Sequence, residues 1–520
     1  MCGIFSLIHS PEQTKNDYID ECKKSYNLLR RRGPDRGTFE YDNVNYVYGF
    51  QRLSINDLSS NGDQPMKTEK TVLMCNGEIF NYIELISKYD LVCKSQSDCE
   101  VLLHLYEKGL FCEDLFKEIN GDFAMFIDDI LNNKVILARD RIGVRPLFYG
   151  FTKNNNHLVV SSEIKCMPMC HTINHVPPGT YLIYDKQTQT FSEHRYYDVL
   201  KTITFTKPLY YLKYLLINAT KIRLNADRPI GCLLSGGLDS SIITYILCHL
   251  LGAKNVRTYS IGMEGSADLK YAKKVATFLG TNHTEVKFTA EEGLSAIPEV
   301  IYNLESYDIT TVRASVGMYL LGKYISKNTT DKVIFSGEGS DELLCGYLYF
   351  HYAPTGTDAH DESLRLISDL YKYDVLRADR CISSHGLELR VPFLDKDVIN
   401  FCTSIHGHLK QPTDGIEKKL LREQFVGNLP DDVLWRRKDG FSDGVSSNTK
   451  NWYEYITEFV EKEVNVENLT ISKEAYYYKS IYDKLFPNYP KPIDYYWMPK
   501  WIKTVNQFNP AGRALSVFKN

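Results

Sequence analysis

The sequence lacks a hydrophobic run long enough to cross a membrane. Its longest apolar stretch, around Ile242–Leu251, is too short to span a bilayer and contains His249. Residues 1–30 contain no basic segment that leads into an apolar run, so no secretory leader is expected. These two absences argue against a membrane or secreted protein and predict a soluble, cytoplasmic one.

A strong net charge, internal repeats and low-complexity tracts are missing as well. The 61 lysines and arginines nearly balance the 65 acidic residues, which leaves a net charge of −4. So small a charge on a chain of this size gives no electrostatic footprint for DNA or RNA. Cysteine is not scarce, but the 13 cysteines follow no repeated spacing, so thiols in a reducing compartment are expected.

The 520 residues divide into parts with different patterns. Residues 2–190 hold short β-type runs broken by turns, with separate helical patterns, which predicts an α+β sandwich. Residues 191–210 lose periodicity and are predicted to connect the two main parts. Residues 211–520 begin with alternating strand and helix patterns, typical of a parallel sheet covered on both faces, and then become mainly helical.

Cys2 directly follows the initiator methionine. Because cysteine is small, removal of Met1 is expected, and it would leave a thiol and a free α-amino group on one residue. A thiol with an ordinary pKa of about 8.5 is a weak nucleophile at neutral pH, whereas an α-amino group with a pKa of about 7.7–8.0 can act as its base. Taken alone, Met1-Cys2 favours an ordinary cysteine behind a start codon, and only the motifs described below favour an N-terminal nucleophile.

The clearest internal motif is Leu234–Ser241, with the sequence LSGGLDSS, between an apolar strand and an amphipathic helix. Gly236 and Gly237 let backbone amides approach a phosphate, and the helix start adds a partial positive charge. The hydroxyls that can donate hydrogen bonds belong to Ser235, Ser240 and Ser241. Asp239 would repel phosphate unless a cation intervenes, which implies Mg²⁺. A tight turn with a serine cap is the alternative interpretation.

A second loop, Phe335–Glu342, also follows an apolar strand and carries three carboxylates. The carboxyl ends of parallel strands meet at one edge of a sheet, and ligands bind there. If the two strands are neighbours, Asp341 can share a cation with Asp239, so both are candidate metal ligands. An acidic surface turn is the alternative interpretation.

Short polar motifs in the first part suit a pocket for glutamine beside an N-terminal thiol. Asn76 offers a side-chain amide and Gly77 a backbone N–H, which together can stabilise an oxyanion. Arg52 can bind a substrate α-carboxylate through two hydrogen bonds. Glu78 and Asp98 can accept an α-ammonium group. Each motif alone is also explained by a polar side chain that caps a turn.

Over nearly its full length, the chain resembles the glutamine-dependent asparagine synthetases. The segments that resemble the family's glutaminase are Cys2–Phe5, Arg30–Asp35, Arg52–Ile55, Asn76–Asn81 and Ser97–Glu100. The segments that resemble its synthetase part, in the same order, are Leu234–Ser241, Ser260–Met263, Glu305–Tyr319, Ser336–Glu342, Gly386–Asp395, Trp435–Val445 and Gly512–Leu515. The run Arg377–Arg390 is most similar to the eukaryotic-type enzymes.

The resemblance implies an N-terminal-nucleophile hydrolase sandwich, followed by an α/β ATP-pyrophosphatase (PP-loop) domain with a helical C-terminal part. It implies a carbon–nitrogen ligase that uses ATP and Mg²⁺ and makes asparagine from aspartate, with glutamine as nitrogen donor, through β-aspartyl-AMP. Cys2, Asn76, Gly77 and Glu338 would be catalytic. Glu338 would be a base toward ammonia or would stabilise the intermediate.

The resemblance also implies the residues that bind each substrate. Glutamine would contact Arg52, Leu53, Ser54, Ile55, Asn56, Asn76, Gly77, Glu78 and Asp98. ATP would contact Leu234, Ser235, Gly236, Gly237, Asp239, Ser240, Ser241, Ile261, Ser336, Gly337 and Lys438. The metal ligands would be Asp239 and Asp341. A tunnel for ammonia between the domains is implied, no nucleic acid or membrane partner is expected, and a homodimer stays open.

Two departures from the family pattern stand close to these motifs. Arg31 replaces the usual histidine of one glutaminase motif, and Cys345 stands where the family often has phenylalanine. Three rivals are a phosphoribosyl amidotransferase, a ligase that adenylates a different carboxylate, and a protein that kept the fold without activity. The last predicts disrupted loops, whereas the chemically important residues are present: Cys2, Asn76, Asp239 and Glu338.

Overall fold

The computed structural model describes residues 1–10, 18–42, 45–153, 156–200, 209–438, 444–487, 489 and 491–503. The predicted segment Gly512–Leu515, part of Trp435–Val445 and residues 201–208 of the predicted connection lie outside these ranges. Among the helices within them, none is both long and apolar enough for a membrane span.

The first part folds into two six-stranded antiparallel sheets, with the strand orders β10-β8-β9-β1-β3-β2 and β12-β11-β7-β6-β5-β4. The strands are β1 (Gly3–Ile8), β2 (Arg36–Tyr41), β3 (Tyr46–Arg52), β4 (Met66–Lys67), β5 (Thr71–Ile79), β6 (Gly121–Asp129), β7 (Lys134–Arg139), β8 (Phe148–Thr152), β9 (Leu158–Ser161), β10 (Cys170–His175), β11 (Thr180–Asp185) and β12 (Thr190–Arg195).

The two sheets are stacked and covered by helices on their outer faces. Strand β1 shows why: Ile4 packs into the core between the sheets, whereas the next residue, Phe5, packs under a helix on the other face. The helix over the first sheet is α1 (Ile19–Leu28), and those over the second are α2 (Tyr82–Tyr89), α3 (Glu100–Glu107) and α4 (Glu113–Glu118). The predicted α+β sandwich is confirmed.

The second part is built on a parallel sheet with the strand order β15-β14-β13-β16-β17. Its strands are β13 (Ile230–Leu233), β14 (Arg257–Gly262), β15 (Asn282–Lys287), β16 (Val333–Phe335) and β17 (Glu388–Arg390). The predicted parallel sheet is confirmed, and β13 and β16 are neighbours, as a cation shared between the loops after them requires.

Helices surround this sheet and form the rest of the described chain. They are α5 (Tyr211–Ile222), α6 (Leu238–Leu251), α7 (Ala267–Leu279), α8 (Ala290–Leu304), α9 (Ile309–Asn328), α10 (Ser340–Leu343), α11 (Gly356–Asp369), α12 (Asp374–Ser383), α13 (Lys396–Ser404), α14 (Gly407–Lys410), α15 (Lys419–Glu423) and α16 (Asp431–Leu434). Two further helices are Trp452–Glu463 and Lys473–Leu485.

The sandwich extends further along the chain than the predicted boundary at residue 190. Strand β12 pairs with β11 along its whole length, from Thr190 opposite Asp185 to Arg195 opposite Thr180. Its side chains are mostly exposed and polar, so the sequence shows no buried strand pattern there. Residues 190–195 therefore belong to the sheet and not to a connection.

Buried charged side chains join the two parts of the molecule. Arg32 donates to Glu163 at 3.1 Å within the first part and to Asp379 of α12 at 2.9 Å. Arg380 of the same helix lies 2.5 Å from Glu163 and 2.8 Å from Glu305. Ion pairs removed from water are costly to break, so this network fixes how the two parts meet.

Candidate active sites

Cys2 lies at the entrance of β1, half-buried between the two parts of the molecule. Its backbone N–H donates to the Oδ1 atom of Asn76 at 2.7 Å, and its sulfur lies 3.7 Å from the carbonyl oxygen of Leu53. Burial raises the pKa of the Cys2 thiol above its usual range. The thiol is therefore protonated at neutral pH and needs a base before it can attack.

The side-chain amide of Asn76, on strand β5, has one bonded and one unbonded polar atom. Its oxygen is used by Cys2, while its Nδ2 atom is buried and has no protein hydrogen-bond partner. A buried donor without an acceptor costs about 1–3 kcal/mol, so the site favours a bound oxyanion. The next residue, Gly77, leaves no room for a side chain, because a Cβ atom would lie 2.3 Å from the carbonyl oxygen of Asp122.

Two buried carboxylates converge next to Asn76 and Gly77, at the carboxyl end of this strand. Asn56 donates to Glu78 at 2.6 Å and reaches Asp98 at 3.4 Å, and the N–H of Ile79 donates to Asp98 at 2.6 Å. Burial raises the pKa of Asp98 to about 6. The pKa of Glu78 is also raised, by burial and by the negative charge of Asp98 beside it. The structure thus brings together three predicted glutamine ligands in a site suited to an ammonium group.

The guanidinium group of Arg52 is enclosed by its own loop. It donates to the carbonyl oxygens of Ser59 at 2.8 Å and Asn56 at 3.1 Å, and to the carboxylate of Asp63 at 2.7 Å. It also donates to the carbonyl oxygen of Asp57. A substrate carboxylate would have to replace acceptors of this loop, so the predicted contact stays a prediction.

The residues after Arg52 connect the thiol pocket to the second part of the molecule. The N–H of Ser54 donates to Asp35 at 3.0 Å, and the carbonyl oxygen of Ile55 accepts the N–H of Asp227 at 2.9 Å. The Leu53 carbonyl faces the thiol. Of these three predicted glutamine ligands, Leu53 contacts the thiol, and the predicted contacts of Ser54 and Ile55 stay predictions.

Met1 is in place in the structure and is buried where the two parts meet. Its α-ammonium group lies 3.6 Å from Glu388, on the outermost strand β17, and Arg390 of the same strand lies 3.4 Å from Glu78. The thiol pocket is thus closed on one side by the edge of the parallel sheet.

A second site is a cavity of about 1110 Å³ at the carboxyl ends of β13, β14 and β16. It is larger than most small-molecule sites, which is appropriate for two substrates bound side by side. The predicted residues that line it are Leu234, Ser235, Gly237, Asp239, Ser240, Ile261, Ser336, Gly337, Glu338, Asp341 and Lys438.

Gly236 and Ser241 do not line this cavity. Gly236 has φ of +74°, and a Cβ atom there would lie 2.4 Å from the backbone nitrogen of Ala272. Ser241 is fully buried and donates its hydroxyl to the carbonyl oxygen of Gly237 at 2.7 Å. The structure gives these two residues a role in shaping the loop, and their predicted contact with ATP stays a prediction.

The two predicted metal ligands do converge. The ammonium group of Lys418 lies 2.7 Å from Asp239 and 2.6 Å from Asp341, and Asp341 also pairs with Lys438. Ser340 donates to Asp239 at 2.7 Å. Carboxylates that already share one cationic group form an oxygen donor set of the kind that Mg²⁺ prefers. The residues present therefore fit a divalent cation.

Glu338 lies in the same cavity beside a buried arginine. Its Oε2 atom accepts a hydrogen bond from Arg377 at 2.7 Å, and Arg377 also contacts Asp374 at 3.0 Å. Burial raises the pKa of Glu338 above its usual range, although Arg377 opposes the shift. A buried carboxylate with a specific charged partner, in a cavity, is a candidate functional group.

Sequence reasoning gave no chemical role to Lys418 or Arg377. Both are almost fully enclosed and reach the cavity from elements remote in sequence from the predicted loops. Arg377 stands in a run already noticed for its resemblance, whereas nothing in the sequence around Lys418 indicates a site. Lys418 has φ of +54°, a conformation that favours glycine, at the start of α15.

Comparison with known proteins covers both parts of the chain. The family described as asparagine synthase matches residues 211–362 and 353–506, and the family described as a glutamine amidotransferase domain matches residues 1–195. The second match ends at the last residue of β12, in agreement with the extent of the sandwich.

Relatives align with the chain from end to end. The glutamine-hydrolysing asparagine synthetases of Gallus gallus and Rattus norvegicus are 40% and 41% identical over 573 and 568 residues, covering 100% of this chain and 99% of each relative. Among solved structures, the glutamine phosphoribosylpyrophosphate amidotransferase of B. subtilis covers 45% of this chain and 60% of its own, at 19% identity, and its TM-score of 0.31 is too low to support an assignment. The chain therefore belongs to the family of glutamine-hydrolysing asparagine synthetases.

Proposed function

We propose that this chain converts ATP, L-aspartate, L-glutamine and water into AMP, diphosphate, L-asparagine and L-glutamate. The observation that supports the proposal best is the pairing of a buried N-terminal thiol pocket with a large acidic cavity in one chain. The first site would release ammonia from glutamine, and the second would consume it.

In the first half-reaction, removal of Met1 leaves the α-amino group of Cys2 beside Asn76 as the base. The Cys2 sulfur attacks the side-chain carbonyl carbon of glutamine, and its proton passes to the amino group. The buried Nδ2 atom of Asn76 and the N–H of Gly77 stabilise the oxyanion. The C–N bond breaks, ammonia leaves, and water hydrolyses the thioester to glutamate.

Glutamine is oriented by charge at both ends of the pocket. Glu78 and Asp98 are buried together and accept the α-ammonium group, which joins Arg390, 3.4 Å from Glu78, in offsetting their negative charge. Arg52 holds the α-carboxylate after the substrate replaces acceptors of the 56–63 loop. Main-chain atoms of Leu53, Ser54 and Ile55 complete the wall.

In the second half-reaction, an oxygen of the aspartate β-carboxylate attacks the α-phosphorus of ATP, and diphosphate leaves. Ammonia then attacks the β-carbonyl carbon of aspartyl-AMP, and the C–O bond to AMP breaks. Main-chain groups of Leu234 and Ile261 hold adenine. The diphosphate is held by Ser235, Gly237, Ser240, Ser336, Gly337 and Lys438.

Asp239 and Asp341 would hold Mg²⁺, which neutralises phosphate charge when it is bound. Lys418 keeps the two carboxylates together, because it contacts both. Glu338 takes the proton that ammonia loses as it attacks, or stabilises the intermediate, and Arg377 fixes its carboxylate in place.

A cysteine substitution tests the division of labour. Cys2→Ala is expected to abolish glutamine-dependent asparagine formation while ammonia-driven formation stays within about twofold, because only the thiol step is removed. Asparagine and AMP are measured with either nitrogen donor, and Cys112→Ala, at an exposed cysteine, is the matched control. Equal loss of both activities would refute the two-site assignment, and AMP without asparagine would indicate a different acceptor carboxylate.

A cytoplasmic location and a homodimer complete the proposal. All 13 cysteines lie in the described part of the chain and none forms a disulfide, which suits a reducing compartment. Cell fractionation tests the location. Sedimentation of the purified chain tests the dimer, which a monomer at micromolar concentration would contradict.

A further inference from the structure

Away from both active sites, three side chains with metal-binding atoms meet in the first domain. Cys93 lies in the loop after α2, Glu100 begins α3, and His104 lies one turn further along that helix. The sulfur, a carboxylate oxygen and a ring nitrogen all lie within 4.8 Å of one another. In the ranges that the structure describes, this is the only group of three or more Cys, His, Asp or Glu side chains arranged in this way.

The helix sets the geometry of two of these groups. Glu100 and His104 are four residues apart, so their side chains lie on the same face of α3. The Nε2 atom of His104 lies 3.1 Å from the Oε1 atom of Glu100. Ligand atoms around tetrahedral zinc lie about 3.3–3.7 Å apart, given bond lengths near 2.0–2.3 Å. The pair is therefore within a few tenths of an ångström of ligand spacing, and the Cys93 sulfur has to approach by about 1.5 Å at most.

The carboxylate is held in position by the loop that carries Cys93. Its Oε1 atom accepts the backbone N–H of Lys94 at 2.7 Å. Its Oε2 atom accepts both the backbone N–H and the hydroxyl of Ser95, at 2.7 and 2.5 Å. Hydrogen bonds of this kind orient a ligand before the metal binds, and they tie the sulfur-bearing segment to the start of α3.

We propose that Cys93, Glu100 and His104 bind one Zn²⁺ ion, with water as a fourth ligand. A thiolate, an imidazole and a carboxylate are all ligands of zinc, and the sulfur and nitrogen atoms disfavour Mg²⁺ or Ca²⁺. The thiol proton passes to solvent when the metal binds. The ion would fasten the 93–100 segment to α3, and the site does not depend on the proposed reaction.

Without any metal, Glu100 can be explained by its hydrogen bonds to the 94–95 loop, and His104 by its contact with Glu100 on the same helix face. Whether the Cys93 sulfur binds a metal therefore distinguishes a zinc site from this purely structural interpretation. The purified full-length chain is titrated first with Co²⁺ and then with Zn²⁺. The expected result is one equivalent of Co²⁺ with a thiolate-to-cobalt charge-transfer band, which Zn²⁺ removes. Cys93→Ser is expected to lose the band and to weaken Zn²⁺ binding by about 100-fold or more.

Matched variants identify the thiol responsible. Cys112→Ser changes an exposed cysteine outside the group, and Cys2→Ser removes the half-buried catalytic thiol. Both are expected to keep the band, whereas His104→Gln is expected to weaken Zn²⁺ binding as Cys93→Ser does. Absence of a band in the unmodified chain, or its persistence in folded Cys93→Ser, would overturn the proposal.

Discussion

At the scale of single residues, Asn76 carries the sharpest functional signal in the first domain. Its oxygen accepts the N–H of Cys2, while its Nδ2 atom remains buried without a protein partner. Asn76→Asp keeps an acceptor for Cys2 but removes the donor. We expect glutamine-dependent turnover to fall by about 10²–10³, the usual cost of one oxyanion-hole donor, while ammonia-driven turnover is unchanged.

The control for this prediction is Asn61→Asp, which makes the same change of charge at an exposed asparagine. Initial rates of asparagine formation with each nitrogen donor are compared. Full glutamine-dependent activity in Asn76→Asp would remove this side chain from the mechanism.

The Asp98 carboxyl predicts a pH dependence. Its pKa is raised from 3.8 to about 6 by burial, so it takes up a proton at a pH where an ordinary aspartate remains charged. Protonation removes the partner of the substrate ammonium group, so the KM for glutamine should rise as pH falls below about 6, by up to about tenfold per pH unit. A KM that stays constant from pH 7 to 5 would contradict this role.

The raised pKa of Asp98 also affects folding stability, and it does so in the opposite direction. Between pH 3.8 and about 6 the folded protein binds more protons at Asp98 than the unfolded chain does. The contribution of this group to the free energy of unfolding therefore falls as pH rises through that window. Ammonium recognition and stability thus place opposing demands on one carboxyl.

Residue-scale prediction succeeded where a motif holds all its members close together. Asn76 and Glu78 lie near the carboxyl end of β5, and Asp239 lies in the first turn of α6, after the loop that follows β13. Lys418 reaches the same cavity from a distant element, and no local pattern marks a side chain whose partners are supplied by tertiary folding. Ser241 belongs to its motif in sequence but turns inward, because the first turn of α6 needs its hydroxyl.

At the scale of elements, the two adjacent glycines of the LSGGLDSS loop differ in backbone conformation and in the space around their Cβ positions. Gly236 has φ of +74°, and a Cβ atom would meet the backbone of Ala272 at 2.4 Å. Gly237 has φ of −74°, and the nearest atom to its Cβ position is the Ser235 hydroxyl at 3.3 Å. Gly236→Ala should therefore destabilise the fold by about 2 kcal/mol or more, and Gly237→Ala by less than about 1 kcal/mol.

Thermal unfolding of the two alanine variants, without substrates, measures this difference. The two glycines are adjacent in one loop, and they differ in that Gly236 is buried whereas Gly237, the N-cap of α6, is partly exposed. Equal melting temperatures for the two variants would show that the left-handed conformation at Gly236 is not required.

Elements with a clear apolar period could be predicted from the sequence. Strands β5 and β7 contain apolar runs, and helix α7 has apolar residues at helical spacing, so the sequence alone indicates these three elements. Strand β15, with the sequence NHTEVK, could not be predicted, because it lies at an edge and is half-exposed and polar. Strand β17 has only three residues, two of them charged, and only tertiary ion pairs explain why they are buried.

At the scale of the whole molecule, the neighbouring residues Arg31 and Arg32 both form ion pairs across the contact between the two parts, so their variants test how much a buried pair there contributes. Arg32 is buried and bonds to Glu163, to Asp379 and to the carbonyl oxygen of Cys2. Arg31 makes one bridge across the interface, to Glu299, and both of those side chains are exposed. Arg32→Ala should cost about 3–5 kcal/mol of stability, because it leaves buried carboxylates unpaired, whereas Arg31→Ala should cost about 0–1 kcal/mol.

Melting temperature and glutamine-dependent asparagine formation are measured for both arginine variants. Arg32→Ala should lose more of the glutamine-dependent activity than of the ammonia-driven activity, since it also releases the Cys2 carbonyl. Similar behaviour of the two variants would show that the buried network does not couple the domains.

The position of β17 has a consequence for how the protein is made. This strand ends the parallel sheet, and its Leu389 carbonyl oxygen is covered by Arg145 of the sandwich at 2.9 Å. An uncovered edge strand offers unpaired backbone groups to other chains and promotes aggregation. We therefore expect the sandwich, which leaves the ribosome first, to protect this edge once the parallel sheet forms. The second half expressed alone should accumulate in inclusion bodies.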